Sequence, residues 1–296
     1  MTQQPKVVSF YSFKGGAGRT LCTVNVTRHL AKRLGATERN PILLMDMDLD
    51  SAGLTLLMEH YDTFEGSPWN TSKMVTGELN LNIIKVSEAF FSEGMVDLSA
   101  RMGMAEKTVR FVGAEAVGRE SAVPVLGDAI EWMQFLLEDC GKRGVVSVVI
   151  DSASGRQDSA LLCHSISDVV VYCCRITDQF LIGTGLQLEF LIEKTLAEGE
   201  RVPNIILLPV AVPNATEKWQ SERYKGCMLQ LAGLVHKFEQ KAHIQLIKEG
   251  IGEVEAFKWI ESILLEDEAL PADQQAALRA YESLAGAIAD LFSGRN

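Results

Sequence analysis

The sequence predicts an α/β protein, a doubly wound, mostly parallel sheet with helices on both faces. Three observations carry that prediction. Strand-like segments such as VVSVVI (Val145–Ile150) and VVVYCC (Val169–Cys174) are largely unbroken apolar runs rather than polar–apolar alternations, as expected of strands covered on both faces. These runs alternate with helical stretches, the order expected of βαβ units. A glycine-rich turn at Lys14–Gly18 joins the first strand to the first helix.

The elements follow in order. Val7–Tyr11 (VVSFY) reads as a buried strand, and Thr20–Leu34 as a helix that Gly35, suited to the left-handed C-terminal position, brings to an end. Pro41–Met45 is the next strand, and it stops at an acidic run. Later strands are expected at Val109–Val112, Val145–Ile150, Val169–Cys174 and Ile205–Val210. Helices are expected at about Gly127–Cys140, Phe180–Glu198, Lys218–Gln240 and Asp273–Phe292. No repeat, low-complexity tract or Ser/Gly linker divides the chain, so one domain is expected over residues 1–296. Met58–Lys107 is its least regular part, and the helices from about 218 to 296 are expected to pack on the same domain.

A chain of 296 residues with 47% hydrophobic and 23% charged residues can bury a full core without staples, which excludes a disordered or fibrous class. The formal charge of −11 argues against a whole-surface nucleic-acid binder and against docking on anionic lipid. The N-terminal residues lack the apolar core of a signal peptide, and no apolar run is long enough to span a bilayer. Six cysteines without CxxC spacing read as reduced, buried residues, and five scattered histidines give no zinc pattern. A cytoplasmic protein is expected.

The strongest functional signal is Ser12-Phe13-Lys14-Gly15-Gly16-Ala17-Gly18-Arg19-Thr20. Glycines let successive N–H groups curl inward as an anion nest, and the helix that follows adds the positive end of its dipole. The expected nucleotide contacts are Lys14, Gly15, Gly16, Ala17, Gly18, Arg19, Thr20 and Leu21, with the Thr20 hydroxyl placed to ligate Mg²⁺. A dinucleotide fingerprint fits worse, because GxGxxG started at Gly16 requires glycine where Leu21 stands.

KGGAGRT resembles KGGxGK[ST], the deviant phosphate loop of the ParA/MinD group of P-loop ATPases, and most closely its KGGVGR variant branch. The resemblance implies a P-loop NTPase fold of ParA/MinD type binding ATP and Mg²⁺. It also implies a homodimer formed around sandwiched nucleotide, with Lys14 as the signature lysine that reaches the partner's phosphates. Arg19 stands where most members have lysine; its permanent charge and bidentate fork still suit phosphate, but its bulk implies slow hydrolysis.

Downstream, Leu43–Leu54 contains Asp46, Asp48 and Asp50 at alternate positions, so the strand delivers Asp46 and Asp48 to one face of its C-terminal end. The run resembles the family's DxD segment, which implies that Asp48 orients the attacking water and Asp46 supports the Mg²⁺ shell. Val145–Asp151 has the form of a Walker B strand, in which Asp151 would hold Mg²⁺ through a water. Ser152-Ala153-Ser154-Gly155 resembles the DSxxG switch, with the Gly155 amide sensing the γ-phosphate. Relatives build their adenine pocket where Ile205–Asn214 lies, so Pro209, Val210 and Pro213 are candidate base contacts, though two prolines equally suit a plain strand exit.

The catalytic set is therefore Lys14, Arg19 and Asp48, and the metal set Thr20, Asp46 and Asp151. The expected function is a Mg-ATP-dependent dimerising switch with slow hydrolysis that acts through a protein partner. The alternatives are a non-hydrolysing scaffold or regulatory subunit, which Arg19 would suit, and a DNA-segregation ATPase. DNA ranks behind a protein partner, because Glu217–Glu249 carries six basic against four acidic residues. A membrane partner is not expected, because the last helix carries little positive charge.

Overall fold

A computed structural model describes residues 4–49, 51–61, 95–114, 126–213, 218–258, 262–265 and 269–294. The strands are β1 (Lys6–Tyr11), β2 (Ile42–Met47), β3 (Val96–Asp97), β4 (Val109–Val112), β5 (Ser147–Ser152), β6 (Val169–Arg175), β7 (Asn204–Val210) and β8 (Ile244–Leu246). The α-helices are α1 (Arg19–Leu34), α2 (Gly53–Tyr61), α3 (Leu126–Lys142), α4 (Asp158–Ile166), α5 (Asp178–Ala197), α6 (Lys218–Phe238) and α7 (Ala272–Phe292). All eight strands form one sheet in the order β3-β4-β2-β5-β1-β6-β7-β8, parallel throughout except for the short antiparallel β3–β4 pair.

The unbroken apolar runs are buried on both faces, as their composition requires. In β1, Val8 and Phe10 join the core shared with α1 and α7, while Val7 joins a second core with α3 and α4. In β5, Val149 points to the first core and Val148 and Ile150 to the second, the period-two alternation of a strand. Helices therefore cover both sides of the sheet.

Several boundaries differ from expectation. β2 extends to Met47 and β5 to Ser152, because register pairing of Asp46 with Asp151 and of Met47 with Ser152 carries the ladder into the acidic segment. Helix α1 ends at Gly35, whose φ of 65° is left-handed and whose N–H reaches the carbonyls of Ala31 and Lys32. Most of Met58–Lys107 lies outside the described residues, as do Asp50 and Asn214. Elements the sequence did not signal are α2, β3, α4 and β8. α7 packs along α1, with Gly286 facing the Arg33 guanidinium. Among the described residues no helix is long and apolar enough to cross a membrane.

Sheet order positions the site. β1 lies between β5 and β6, with β2 beyond β5. The carboxyl ends of β1, β2 and β5 therefore open side by side, and the glycine turn, the Asp46–Asp48 segment and Asp151 converge at that edge.

Candidate functional site

The glycine turn fits an anion. Gly16 and Gly18 have φ of 79° and 71°, open only to glycine without strain, and a Cβ on Gly15, Gly16 or Gly18 would meet nothing within 4 Å. Gly18 caps α1 without a side-chain acceptor, and no acid stands in the first turn. Among the described residues no backbone carbonyl accepts from the amides of Gly15 to Leu21. The loop thus presents unsatisfied donors at a helix N-terminus to open space, as a phosphate cradle requires.

Beneath the loop lies a buried charge cluster. Arg19 Nε donates to Asp151 Oδ1 at 2.8 Å, and its NH2 donates to Asp48 Oδ2 at 2.5 Å. Thr20 Oγ1 donates to Asp151 Oδ2 at 2.7 Å, and Ser51 Oγ to Asp48 Oδ2 at 2.6 Å. Ala52, at a φ of 45°, makes the sharp turn that returns the chain from Asp48 to α2. Burial opposes charge on Arg19, but Asp151 and Asp48 outweigh it and hold the guanidinium above its ordinary range. Burial likewise pushes Asp151 up, against the pull of Arg19.

Asp46 adjoins this cluster but faces another partner. Its Oδ2 accepts from the Thr55 amide and hydroxyl, both at 2.8 Å, and its Oδ1 accepts from the Asp48 amide at 3.1 Å. These bonds tie the end of β2 to α2. Burial, reinforced by the charge of Asp151, raises its carboxyl to about 7. Asp46, expected in the Mg²⁺ shell, here bonds Thr55, a residue not singled out. Among the described residues no group of three His, Cys, Asp or Glu side chains is arranged to hold a metal.

Lys14 Nζ donates to Gln179 Oε1 at 2.7 Å and lies 5.3 Å from the Phe180 ring centroid, so its own α5 holds it. Phe13 sits on Gly183 of the same helix: a Cβ there would overlap ring atoms Cδ1 and Cε1 and lie 2.5 Å from Cγ. Gly155 is fixed to the loop's base. Its N–H reaches Ser12 O at 3.1 Å, and its carbonyl accepts from the buried Tyr11 hydroxyl at 2.7 Å. Its φ of 73° is left-handed, consistent with a bending point. Behind it Tyr11, His164 and Tyr172 pack edge to face, with His164 Nε2 3.0 Å from Tyr172 Oη.

A cleft of about 290 Å³ opens beside the loop, bordered by Gly16, Ala17, Gly18 and Leu21. Its far wall combines Val210 and Ala211 with Ile251–Val254 and Phe257, and Tyr281 of α7 closes it. Of the three candidate base contacts only Val210 borders this cleft. Pro209 instead offers its carbonyl to the Ile251 amide at 2.8 Å, and Pro213 is exposed. The sequence did not single out the Ile251–Phe257 wall. Its one signal is Gly250, whose left-handed φ of 61° and close approach to Pro209 exclude a side chain.

An edge of parallel strands bearing an open glycine cradle, a following Thr and two strand-end aspartates defines the class: this is the fold of the P-loop ATPases of ParA/MinD type. No protein-family model and no curated protein matches the sequence. Among solved structures, McdA from Cyanothece in complex with ATP aligns over 96% of this chain and 97% of its own, at 14% identity and a TM-score of 0.67. MinD from Pyrococcus horikoshii OT3 with Mg-ADP aligns over 99% of both chains, at 16% identity and a TM-score of 0.60. The MinC:MinD cell division complex of Aquifex aeolicus aligns over 95% of this chain and 96% of the other, at 17% identity and a TM-score of 0.59. The likeness is one of fold.

Proposed function

We propose that this chain is a single-domain, cytoplasmic Mg-ATP-dependent switch of the ParA/MinD type that dimerises around nucleotide, hydrolyses it slowly and acts on a protein partner. The observation that carries this reading is the open, donor-rich turn of Gly15–Leu21, whose Arg19 and Thr20 bond Asp48 and Asp151. Neighbours of the same fold solved with ATP and with Mg-ADP support the choice of ligand. The MinC:MinD complex supports a protein as partner.

In this reading the loop amides and Lys14 would bind the phosphates, Thr20 and Asp151 would hold the metal, and Asp48 would orient water for in-line attack. Mg²⁺, when bound, neutralises developing phosphate charge. Val210 and Phe257 supply apolar walls for a base. The Gly155 amide, which here donates to the Ser12 carbonyl, would leave that carbonyl to sense a γ-phosphate.

Four of the six basic residues counted in the 217–249 segment are paired with carboxylates, which does not favour DNA. Lys237 pairs with Glu189 at 2.9 Å, Lys241 with Glu193 at 3.4 Å and Lys218 with Glu222 at 3.7 Å, and Arg223 pairs with Asp178. The arrangement of Arg19 gives one second reading, a nucleotide-binding scaffold with little turnover, because its guanidinium is committed to carboxylates.

Sizing with light scattering, with and without Mg-AMPPNP, tests the switch. Dimer formation that Lys14→Ala abolishes is expected, and nucleotide-dependent dimerisation unchanged in Lys14→Ala would refute the cross-dimer role. Phosphate release by wild type and Arg19→Lys separates the two readings: robust wild-type turnover eliminates the scaffold.

A further inference from the structure

Arg19 occupies the position where a phosphate ligand was expected, yet its fork is spent inside the protein. Nε and NH2 bond separate carboxylates, NH1 lies 3.4 Å from Ser12 Oγ, and Arg19 does not border the cleft. Asp151 has both oxygens engaged, Oδ1 by Arg19 and Oδ2 by Thr20. Asp48 is shared between Arg19 and Ser51, and Asp46 is bonded to Thr55. The Asp151 side chain is fully buried, and those of Arg19 and Asp48 are 8% and 9% exposed. The carboxylate that would hold a divalent cation, Asp151, and the neighbouring Asp48 are therefore both already neutralised by Arg19. A lysine here offers one nitrogen, whereas the planar arginine fork spans two carboxylates at once.

We infer that Arg19 competes with the metal: by bridging Asp48 and Asp151 it keeps a free divalent cation out, so the metal enters only with a nucleotide whose phosphates draw the guanidinium off Asp151. The inference rests on the nucleotide reading above. One fact about this chain supports it independently of any ligand: the Asp151–Thr20 pair is closed by an internal cation. Arg19 is then a positioning residue that acts through the two aspartates, and it sets the order of loading.

The test uses the full chain and Mn²⁺ as probe, with free Mn²⁺ read by electron paramagnetic resonance. Wild type without nucleotide should leave Mn²⁺ free. Arg19→Met should bind Mn²⁺ alone on the order of tenfold or more tightly than wild type, since charge-assisted hydrogen bonds no longer compete. Arg19→Lys should fall between them. Wild type that binds Mn²⁺ alone as tightly as Arg19→Met overturns the inference. Where Arg19→Met does not fold, wild type decides by itself. Mn²⁺ without nucleotide should leave its melting temperature unchanged, and a rise overturns the inference. A separate arm measures retention of AMPPNP by wild type. No retention with or without metal refutes the nucleotide reading, while the Mn²⁺-alone comparison still decides whether Arg19 closes the carboxylates.

Discussion

Gly183→Ala should destabilise the protein although alanine is the better helix former. In isolation the change favours a helix interior by about 1 kcal/mol. Here the new methyl would enter the Phe13 ring, overlapping Cδ1 and Cε1, so the ring must leave its seat on α5. Overpacking of this kind costs about 1–3 kcal/mol, leaving a net loss of up to about 2 kcal/mol. The cost should vanish when the ring is absent. In a Phe13→Ala background, Gly183→Ala should stabilise by as much as about 1 kcal/mol, giving a coupling of about 1–3 kcal/mol in a double-mutant cycle. Urea unfolding of the four proteins measures it. Because Phe13 precedes Lys14 at the mouth of the loop, Gly183→Ala alone should also weaken binding of a fluorescent ATP analogue. Equal effects of Gly183→Ala in both backgrounds would refute the claim that this glycine exists to seat Phe13.

Two further outcomes follow from buried groups. His164 is held neutral by burial, its pKa lowered to about 4 from 6.5, so the unfolded chain takes up a proton that the folded chain refuses. Stability from this group is complete above pH 6.5 and falls by about 3 kcal/mol as pH drops towards 4; the difference between wild-type and His164→Gln unfolding curves should show that slope, and parallel curves would contradict it. The difference is the proper readout, because Asp46, raised to about 7, contributes a slope of opposite sign that both proteins share. Tyr11→Phe removes the hydroxyl that satisfies the Gly155 carbonyl and should cost about 1–2 kcal/mol in urea unfolding, with earlier protease cleavage at the Gly155 turn; no loss would mean the hydrogen bond does not hold that turn.

The sheet was legible because its strands are buried twice over. A run such as Val169–Cys174 has no polar residue to spare for solvent, and that composition fits few structures other than a covered parallel strand. The glycine turn was legible because glycine spacing encodes backbone conformation directly, and Gly16 and Gly18 adopt the left-handed φ that only glycine takes freely. Elements without such signals escaped notice. β8 is three residues long and includes Gln245, and β3 is two residues at an antiparallel edge. The choice of partner by long side chains was not legible either. Whether Arg19 serves phosphate or carboxylate depends on where β2 and β5 place Asp48 and Asp151, more than a hundred residues apart. Asp46 found Thr55 for a similar reason: a helix that the sequence did not signal put a hydroxyl and an amide within reach.

The helix α7 has a bearing on the order in which this molecule comes into being. It is the last described element along the chain, yet it packs along α1, whose first turn carries the cradle, and its Tyr281 closes the cleft. During synthesis α1 and the glycine turn emerge early and wait with one flank uncovered until α7 arrives. The cleft beside the loop therefore acquires its last wall only when translation has passed Tyr281.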